Sequence, residues 1–423
     1  MLRSALLVLV ALVGGCASLE DKKPTAPPPP PKPHPTAPAK PVQPPLAPAK
    51  PTPPPSPVAP AAPLSMPDEQ ATAFLLQVFP VKLADKDGWA SDLKTAFRAL
   101  HIPPSRENYC AVVAVIEQES SFQADPQVPG LPAIVKQEIE QRRLRYGIPQ
   151  TIVDWMLSTT SSDGRSYQQR IDALKTEREL NDLIEEIIAS IPAGKQLFPN
   201  YNPIRTGGPM QVSVEFAESH VRARPYPYPI RSTLRDEVFT RHGGLYFGAA
   251  ILLDYPAPYD DLLYRFADFN SGRYSSRNAA FQQAVARLSG RSLATDGDLL
   301  RYEHGQPSAV TSSTEAALLS VGKILQVSAS DIRRDLLLEK LSTFSLTPLY
   351  NQVFAQADKK GTLPREVMPS IDLRSPKFTR KLTTAWFANR VNQRFQNCLK
   401  RGNASQPPTP RRNTRISKQP ARH

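Results

Sequence analysis

A proline-rich segment divides the chain into a part that cannot build a core and a part that can. Twenty-one prolines lie between Pro24 and Pro67, interspersed with alanine, lysine and threonine. Proline fixes φ and lacks an amide hydrogen, and the segment has no apolar pattern to bury, so it favours a polyproline II tether. At about 3.1 Å per residue, some fifty residues reach roughly 150 Å. We therefore expect a linker over residues 16–67 and a folded region that begins near Asp68.

The first fifteen residues have the pattern of an export signal. A basic residue precedes an apolar run, Ala5 to Val13, that is too short to span a bilayer. The run ends in Val13-Gly14-Gly15-Cys16, which resembles the bacterial lipobox. The resemblance implies removal of residues 1–15 and lipidation of Cys16. It also implies delivery to the outer membrane, because Ala17 stands where the family's inner-membrane retention signal has an aspartate. An ordinary secretory signal followed by an unrelated cysteine is the alternative.

The formal net charge of +13 at pH 7 raises the question of nucleic-acid binding. The excess lies at the two ends, in the lysines of the linker and in seven basic residues from Lys400 to Arg422. The region between them is close to neutral. This distribution argues against a nucleic-acid groove and favours flexible arms near anionic envelope polymers. We expect residues 401–423 to form a basic, disordered tail.

Two cysteines remain besides Cys16, namely Cys110 and Cys398. An exported protein can pair such residues, and the bridge would close so long a loop that chain entropy gives an upper estimate of roughly 5 kcal/mol. Two separately buried thiols are the alternative, and the sequence leaves both open. The six histidines are scattered without metal-ligand spacing, so we expect neither a metal nor a cofactor.

Apolar periodicity predicts one mostly helical, all-α domain over residues 68–400. The segment from Glu107 to about Glu119 is apolar nearly all round, which is typical of a buried central helix, and Ser105 is a candidate N-cap. Strand patterns are scarce, and a small hairpin around Thr206 to Val214 is left open. Further helical patterns cover residues 68–79, 92–100, 132–146, 150–157, 165–190, 211–222, 234–254, 260–269, 277–288, 313–325, 329–342, 346–357 and 377–399.

Three short motifs follow one another with helices between them. They are Glu119-Ser120 at the end of the buried helix, Gly208-Pro209-Met210-Gln211, and Phe269-Asn270-Ser271-Gly272 after an apolar helix. The series resembles the lytic transglycosylases with the goose-type lysozyme fold. The resemblance covers residues 107–288, under half of the chain, and implies a lysozyme-like core with a helical insertion and a helical C-terminal extension.

The chemistry of such a site can also be argued from the residue types. Cleavage of a glycosidic bond requires a carboxylic acid that stays protonated near neutral pH, and withdrawal from water at the end of an apolar helix favours that form. The resemblance implies that Glu119 alone serves as general acid and base. It further implies that Ser120 holds the Glu119 carboxyl group and that Met210, Gln211 and Phe269 line the sugar groove.

Asn270 would, by the same resemblance, hydrogen-bond an N-acetyl group or the glutamate, and Gly272 would let the chain turn sharply behind it. Structural interpretations stand beside these roles. Glu119 could close a helix at the surface, Met210 could belong to the core, and Gln211 and Asn270 could cap helices.

The sequence departs from that family at several points. Pro209 and Phe269 replace a hydrophobic residue and a tyrosine, and a long, largely helical insertion, 127–205, separates the first two motifs. The whole architecture also resembles the YaiW family of outer-membrane lipoproteins, whose role is not settled. Two hypotheses follow. The chain is a lipid-anchored lytic transglycosylase acting on peptidoglycan glycan strands, or an inactive relative that binds glycan or assists peptide uptake, with an envelope protein partner left open.

Overall fold

The structure is a computed structural model, and it describes residues 65–190, 202–303, 305–373 and 382–404. The predicted signal peptide, Cys16, nearly all of the predicted linker and the tail from residue 405 lie outside the described residues. All of the described residues belong to one compact unit.

Helices make up most of the regular structure, which confirms the predicted all-α class. In chain order they are α1 (Asp68–Val78), α2 (Lys86–Ala99), α3 (Arg106–Glu119), α4 (Leu131–Arg145), α5 (Gln150–Ser158), α6 (Tyr167–Asp172), α7 (Glu177–Ser190), α8 (Val214–Ala223), α9 (Leu234–Val238), α10 (Arg241–Leu253), α11 (Leu262–Ser271), α12 (Ser275–Ser289), α13 (Ser313–Leu325), α14 (Ala329–Leu336), α15 (Pro348–Ala357) and α16 (Thr384–Asn403). Short 3-10 helices cover Ser342–Leu346 and Asp358–Lys360.

Among the described residues, strands occur as three short antiparallel pairs. They are β1 (Thr206–Gly207) with β2 (Val212–Ser213), β3 (Tyr302–Glu303) with β4 (Gln306–Pro307), and β5 (Asp372–Leu373) with β6 (Leu382–Thr383). The first pair is the hairpin that the sequence left open. In its register Thr206 faces Ser213 and Gly207 faces Val212, so residues 208–211 form the connecting loop.

The helix α3 lies at the centre of the first hydrophobic core, as its apolar sequence predicted. Its residues Tyr109 to Ile116 are at most 1 % exposed, and α1, α10 and α16 contact it. Burial of each large apolar side chain of this kind contributes about 1.5–3 kcal/mol. The helix begins where predicted, because the Ser105 hydroxyl accepts a hydrogen bond from the Asn108 amide (3.1 Å).

The last helix, α16, packs along α3. Cys110 of α3 and Cys398 of α16 form a disulfide, with their Cα atoms 5.6 Å apart. Near the end of α16, Arg401 donates hydrogen bonds to the last carbonyl oxygen of α1 (2.9 Å) and to the Glu117 carboxylate (3.3 Å). The helix therefore continues to Asn403. The predicted start of the basic tail at residue 401 is three residues early, because these contacts hold the last turn in place.

The insertion of residues 127–205 has a hydrophobic core of its own, formed by α4 to α7. Its largely helical character was predicted, but the single pattern over 165–190 is two helices. Two N-caps explain the split. Ser166 forms a capping box with Gln169 at the start of α6, and the Thr176 hydroxyl accepts a hydrogen bond from the Glu179 amide (3.2 Å) before α7.

A third core joins α12 to α15. At its centre Arg277 is fully buried, and its guanidinium donates hydrogen bonds to the backbone carbonyl groups of Glu339 and Leu341 (2.9 Å for the latter) and to the Asn278 side chain (3.0 Å). A buried cation of this kind is tolerated because each nitrogen meets an acceptor. Most of the described chain after the three motifs belongs to this core.

Candidate functional site

The predicted catalytic residue ends α3. Glu119 is the last residue of the helix and is half-buried. The Ser120 amide still bonds to the Ile116 carbonyl group (3.0 Å), and then Ser121 and Phe122 adopt left-handed conformations with φ of 50° and 64°. Such a conformation costs a residue other than glycine about 1–3 kcal/mol and persists only where the surroundings impose it. The chain thus turns sharply away directly after Glu119.

A cavity of about 500 Å³ lies beside this turn. Its walls combine apolar and charged groups, and it is lined by Pro80, Lys82, Leu83, Ala84, Asp85, Trp89, Ser121, Phe122, Ala124 and Arg241. The lining contains no residue of the 127–205 insertion, so the described part of the insertion does not close it. Glu119 is not a lining residue. Its Cα atom, however, is at most about 7 Å from that of Ser121, because only Ser120 lies between them and two extended steps of the chain span no more than this.

Arg241, the first residue of α10, is fixed on the cavity wall by two carboxylates. Its Nε donates to Asp92 and its Nη1 to Asp85, both at 2.6 Å. The guanidinium also lies over the Trp89 ring, 5.6 Å from the centroid. The hydrogen bond from Arg241, together with one from the Gly88 amide, holds the pKa of the Asp85 carboxyl group below its ordinary value. Asp85 therefore presents a stable negative charge next to a positive one.

The local sequence around Asp85 allows the ion pair with Arg241 to form. Asp85 is left-handed (φ 52°) and caps α2 by accepting a hydrogen bond from the Gly88 amide (3.1 Å). A Cβ atom at position 88 would lie 2.2 Å from the Asp85 carboxylate and 2.5 Å from Arg241 Nη2, so glycine leaves the space that the ion pair occupies. Neither Asp85 nor Arg241 was among the predicted site residues, and the second helix was predicted to begin at residue 92. The aspartate one residue before Lys86 was an available N-cap signal.

The predicted role of Ser120 is corrected by its hydrogen bond. Its hydroxyl donates to the Ile116 carbonyl group of its own helix (3.1 Å), and the side chain is buried. A hydroxyl group has one proton to donate, so Ser120 does not hold the Glu119 carboxyl group in this structure. Its side chain and its amide both close the last turn of α3.

The hairpin loop separates the two residues that were expected to line the groove together. Met210 is fully buried in the first core and packs against α10, where a Cβ atom at Gly248 would lie 2.3 Å from its sulfur. Met210 is therefore a core residue and does not line a groove, because its side chain points into the interior from the loop. Gln211 is partly exposed and left-handed (φ 51°). Its side-chain amide oxygen, Oε1, accepts a hydrogen bond from the Thr206 hydroxyl (3.4 Å).

The third motif lies at the end of α11. Asn270 is half-buried, and its side-chain oxygen accepts a hydrogen bond from the Thr384 hydroxyl at the start of α16 (3.0 Å). Phe269 is half-buried against the first core. Gly272 has a φ of 103° and ends the helix, which agrees with the sharp turn expected behind the asparagine. Neither Gln211 nor Asn270 lines the cavity beside Ser121.

Asp268, directly before the third motif, is a buried group to which the sequence-based prediction assigned no role. It is 1 % exposed, and burial raises the pKa of its carboxyl group to about 6, against the opposing effect of the hydrogen bonds it accepts. Five groups donate to it: the hydroxyls of Tyr255, Tyr259 and Ser275 and the amides of Tyr274 and Ser276. This carboxylate joins α11 to the start of α12 and thereby fixes the turn after Asn270.

Among the described residues, no group of three or more histidine, cysteine, aspartate or glutamate side chains is arranged to hold a metal ion. Of the helices that the structure describes, none is both long and apolar enough to span a bilayer.

Comparison with known proteins places this site within a family. Residues 82–401 match the family described as "Protein of unknown function (DUF1615)". The chain belongs to the DUF1615 family. It is 48% identical over 328 residues to the "Uncharacterized protein YaiW" of Escherichia coli (strain K12), a match that covers 77% of this chain and 88% of that relative. No solved structure matches the chain, so the lysozyme-like core stays a prediction.

The DUF1615 match encloses the site except for Pro80, a lining residue of the cavity that lies two positions before the match begins. It begins at Lys82, a residue of the cavity wall, and ends at Arg401, which contacts Glu117. Both the end of α3 and the Asp85–Arg241 pair thus belong to the region shared by the family. Of the predicted residues, Glu119 lies beside the cavity, Met210 lies in the core, and Gln211 and Asn270 lie half-buried elsewhere on the same core.

Proposed function

We propose that this protein cleaves peptidoglycan glycan strands as a lytic transglycosylase, with Glu119 as its single general acid and base. One observation carries the proposal. Glu119 stands half-buried at the end of a helix whose preceding core is fully buried, and the chain opens a cavity of about 500 Å³ directly after it. A carboxyl group that delivers a proton at neutral pH must be partly withdrawn from water.

The proposed reaction needs no second carboxylate. Glu119 donates its proton to the oxygen that links N-acetylmuramic acid to N-acetylglucosamine, and that bond breaks. The C6 hydroxyl of the muramyl residue then bonds to C1 of the same sugar and returns its proton to Glu119. The product is an anhydro sugar, no water is consumed, and the enzyme is regenerated. This differs from the paired carboxylates of most glycosidases.

A second candidate function is glycan binding without cleavage. It is favoured because several side chains that the motifs were expected to supply to the groove are engaged or buried within the protein. The Ser120 hydroxyl already donates to the Ile116 carbonyl group, and the Asn270 side-chain oxygen already accepts from the Thr384 hydroxyl. Met210 is buried. In this case the same surface holds glycan strands, and Glu119 is a structural residue.

The proposal includes attachment to the outer membrane through lipidated Cys16. It is supported by the apolar run from Ala5 to Val13 and by the small residues before the cysteine. We expect Cys16→Ser to release the chain from sedimented membranes, whereas retention of the variant would overturn the anchor.

The deciding experiment digests purified sacculi with the full-length chain in mild detergent. Wild-type protein should release muropeptides lighter by one water than lysozyme products, and Glu119→Gln should lower the rate at least about 100-fold. Glu117→Gln is the matched control, because Glu117 lies on the same turn but pairs with Arg401. All proteins must show the same thermal melting before rates are compared.

The outcomes separate the two candidates. Anhydro-muropeptides from wild type and from Glu117→Gln, but not from Glu119→Gln, support the transglycosylase. If wild type yields none while it still sediments with sacculi, cleavage is overturned and the binding protein remains. Equal rates for wild type and Glu119→Gln would remove Glu119 from the reaction.

A further inference from the structure

The cavity beside the end of α3 has a charge pattern that a sugar alone does not require. Three ionic side chains stand on its wall: Lys82, Asp85 and Arg241. The Lys82 side chain is exposed, and within the described residues it forms no ion pair. An ammonium group in this position is free to meet a carboxylate that enters the cavity.

Arg241 is held in one orientation and keeps part of its hydrogen-bonding capacity. Its Nε and Nη1 are engaged by Asp92 and Asp85, and its side chain is 26% exposed. Its Nη2 hydrogen-bonds to none of the described residues. Two carboxylates and the Trp89 ring already fix the guanidinium. Binding of a ligand to Nη2 therefore costs little side-chain entropy of Arg241.

The wall therefore carries charges of both signs. The Asp85 carboxylate is 62% exposed, so it can accept a hydrogen bond from an ammonium group on a ligand. The rest of the lining is mostly apolar, and it includes an exposed Ala84 and a half-buried Ala124 as well as the buried ring of Phe122. A volume of about 500 Å³ falls in the range of sites for compact organic ligands.

We propose that this cavity binds the short peptide substituent of a glycan strand, a chain with small side chains that carries both carboxylate and amine groups. The carboxylate lies between Lys82 and Arg241 Nη2, the amine meets Asp85, and the small side chains contact the apolar wall. This inference rests on the proposed function, because it takes the strand to be the ligand whose bond lies near Glu119. It assigns the cavity as the part of the site that selects peptide-bearing strands.

The test measures binding and does not depend on cleavage. Isothermal titration of the full-length chain in mild detergent uses three probes: a disaccharide with its tetrapeptide, the same disaccharide without peptide, and the free tetrapeptide. We expect the peptide-bearing disaccharide to bind at least about tenfold more tightly than the peptide-free one, through a charge-assisted contact. Weaker but measurable binding of the free tetrapeptide would show that the peptide itself is the ligand.

Two variants address the cavity directly. Lys82→Ala should weaken the peptide-bearing probe about fivefold and leave the peptide-free probe unchanged. Ala84→Trp should fill the cavity and abolish the preference. Lys360→Ala is the control, since this exposed lysine lies in the 3-10 helix Asp358–Lys360 and does not line the cavity.

The results decide the inference independently of the enzyme. Equal affinity of wild type for the two disaccharides, or unchanged affinity in folded Lys82→Ala and Ala84→Trp, would overturn it even if sacculi are cleaved. A preference for the peptide-bearing probe that Ala84→Trp removes would support it even if wild type releases no anhydro product. Only the sacculus digestion decides whether the proposed function fails.

Discussion

Replacement of Gly208 by alanine tests how the hairpin loop is held against α9. Gly208 has a φ of 72°, and a Cβ atom there would lie 2.2 Å from the backbone carbonyl oxygen of Val238. The left-handed conformation costs alanine roughly 1–2 kcal/mol. The contact is far shorter than a van der Waals separation, and because the obstacle is backbone it cannot rotate away, which adds about 1–3 kcal/mol. We expect Gly208→Ala to lower the free energy of unfolding by about 3 kcal/mol.

Gly147→Ala separates the two contributions. Gly147 has a φ of 64°, but a Cβ atom there has nothing within 4 Å, so only the conformational cost applies. Urea denaturation followed by circular dichroism gives both free energies of unfolding. We expect the free energy of unfolding to fall by about 2 kcal/mol more in Gly208→Ala than in Gly147→Ala. Equal losses would show that the loop does not press on Val238 and would refute the packing of the hairpin described above.

Two further predictions concern stability. Replacement of both Cys110 and Cys398 by alanine opens a loop of sequence separation 288 and should lower the free energy of unfolding by up to about 5 kcal/mol in the chain-entropy model; a loss below about 1 kcal/mol in urea denaturation would contradict it. Glu339 is fully buried, and burial raises the pKa of its carboxyl group to about 7, against a usual value of 4.5. A carboxyl group with a raised pKa in the folded state takes up its proton on folding, so its contribution grows as pH falls from about 7 to 4.5. Wild type should therefore gain about 3 kcal/mol relative to Glu339→Gln between pH 8 and pH 4, and parallel stability curves of the two proteins would argue against it.

Much of the fold could be predicted because helix formation is read from local patterns. The all-round apolar segment before Glu119 placed the central helix within one residue, and Ser105 marked its start. Errors arose where two caps lie close together, as at Ser166 and Thr176, since a continuous apolar period hides the short break between helices. The start of α2 was placed too late because the Asp85 cap precedes residues with little apolar character.

The candidate site could be predicted only in part. The three motifs drew attention to Glu119, which lies beside the cavity, but they also assigned Met210 to a groove, whereas the loop turns its side chain into the core. Which face of a two-residue strand or a tight loop is buried depends on the neighbouring helix, here α10 with Gly248 opposite Met210. A motif names residue types and order, and it carries no information on that neighbour.

The sequence by itself determined the all-α class, most of the helices and the Ser105 cap of α3, because these depend on residues within a few positions of one another. Only the tertiary structure decided the cavity. Its Asp85–Arg241 ion pair joins residues 156 positions apart, and its remaining wall comes from the connection between α1 and α2, from Trp89 of α2 and from the turn after α3. No local pattern links such residues, since they meet only when burial of the first core brings α2, α3 and α10 together.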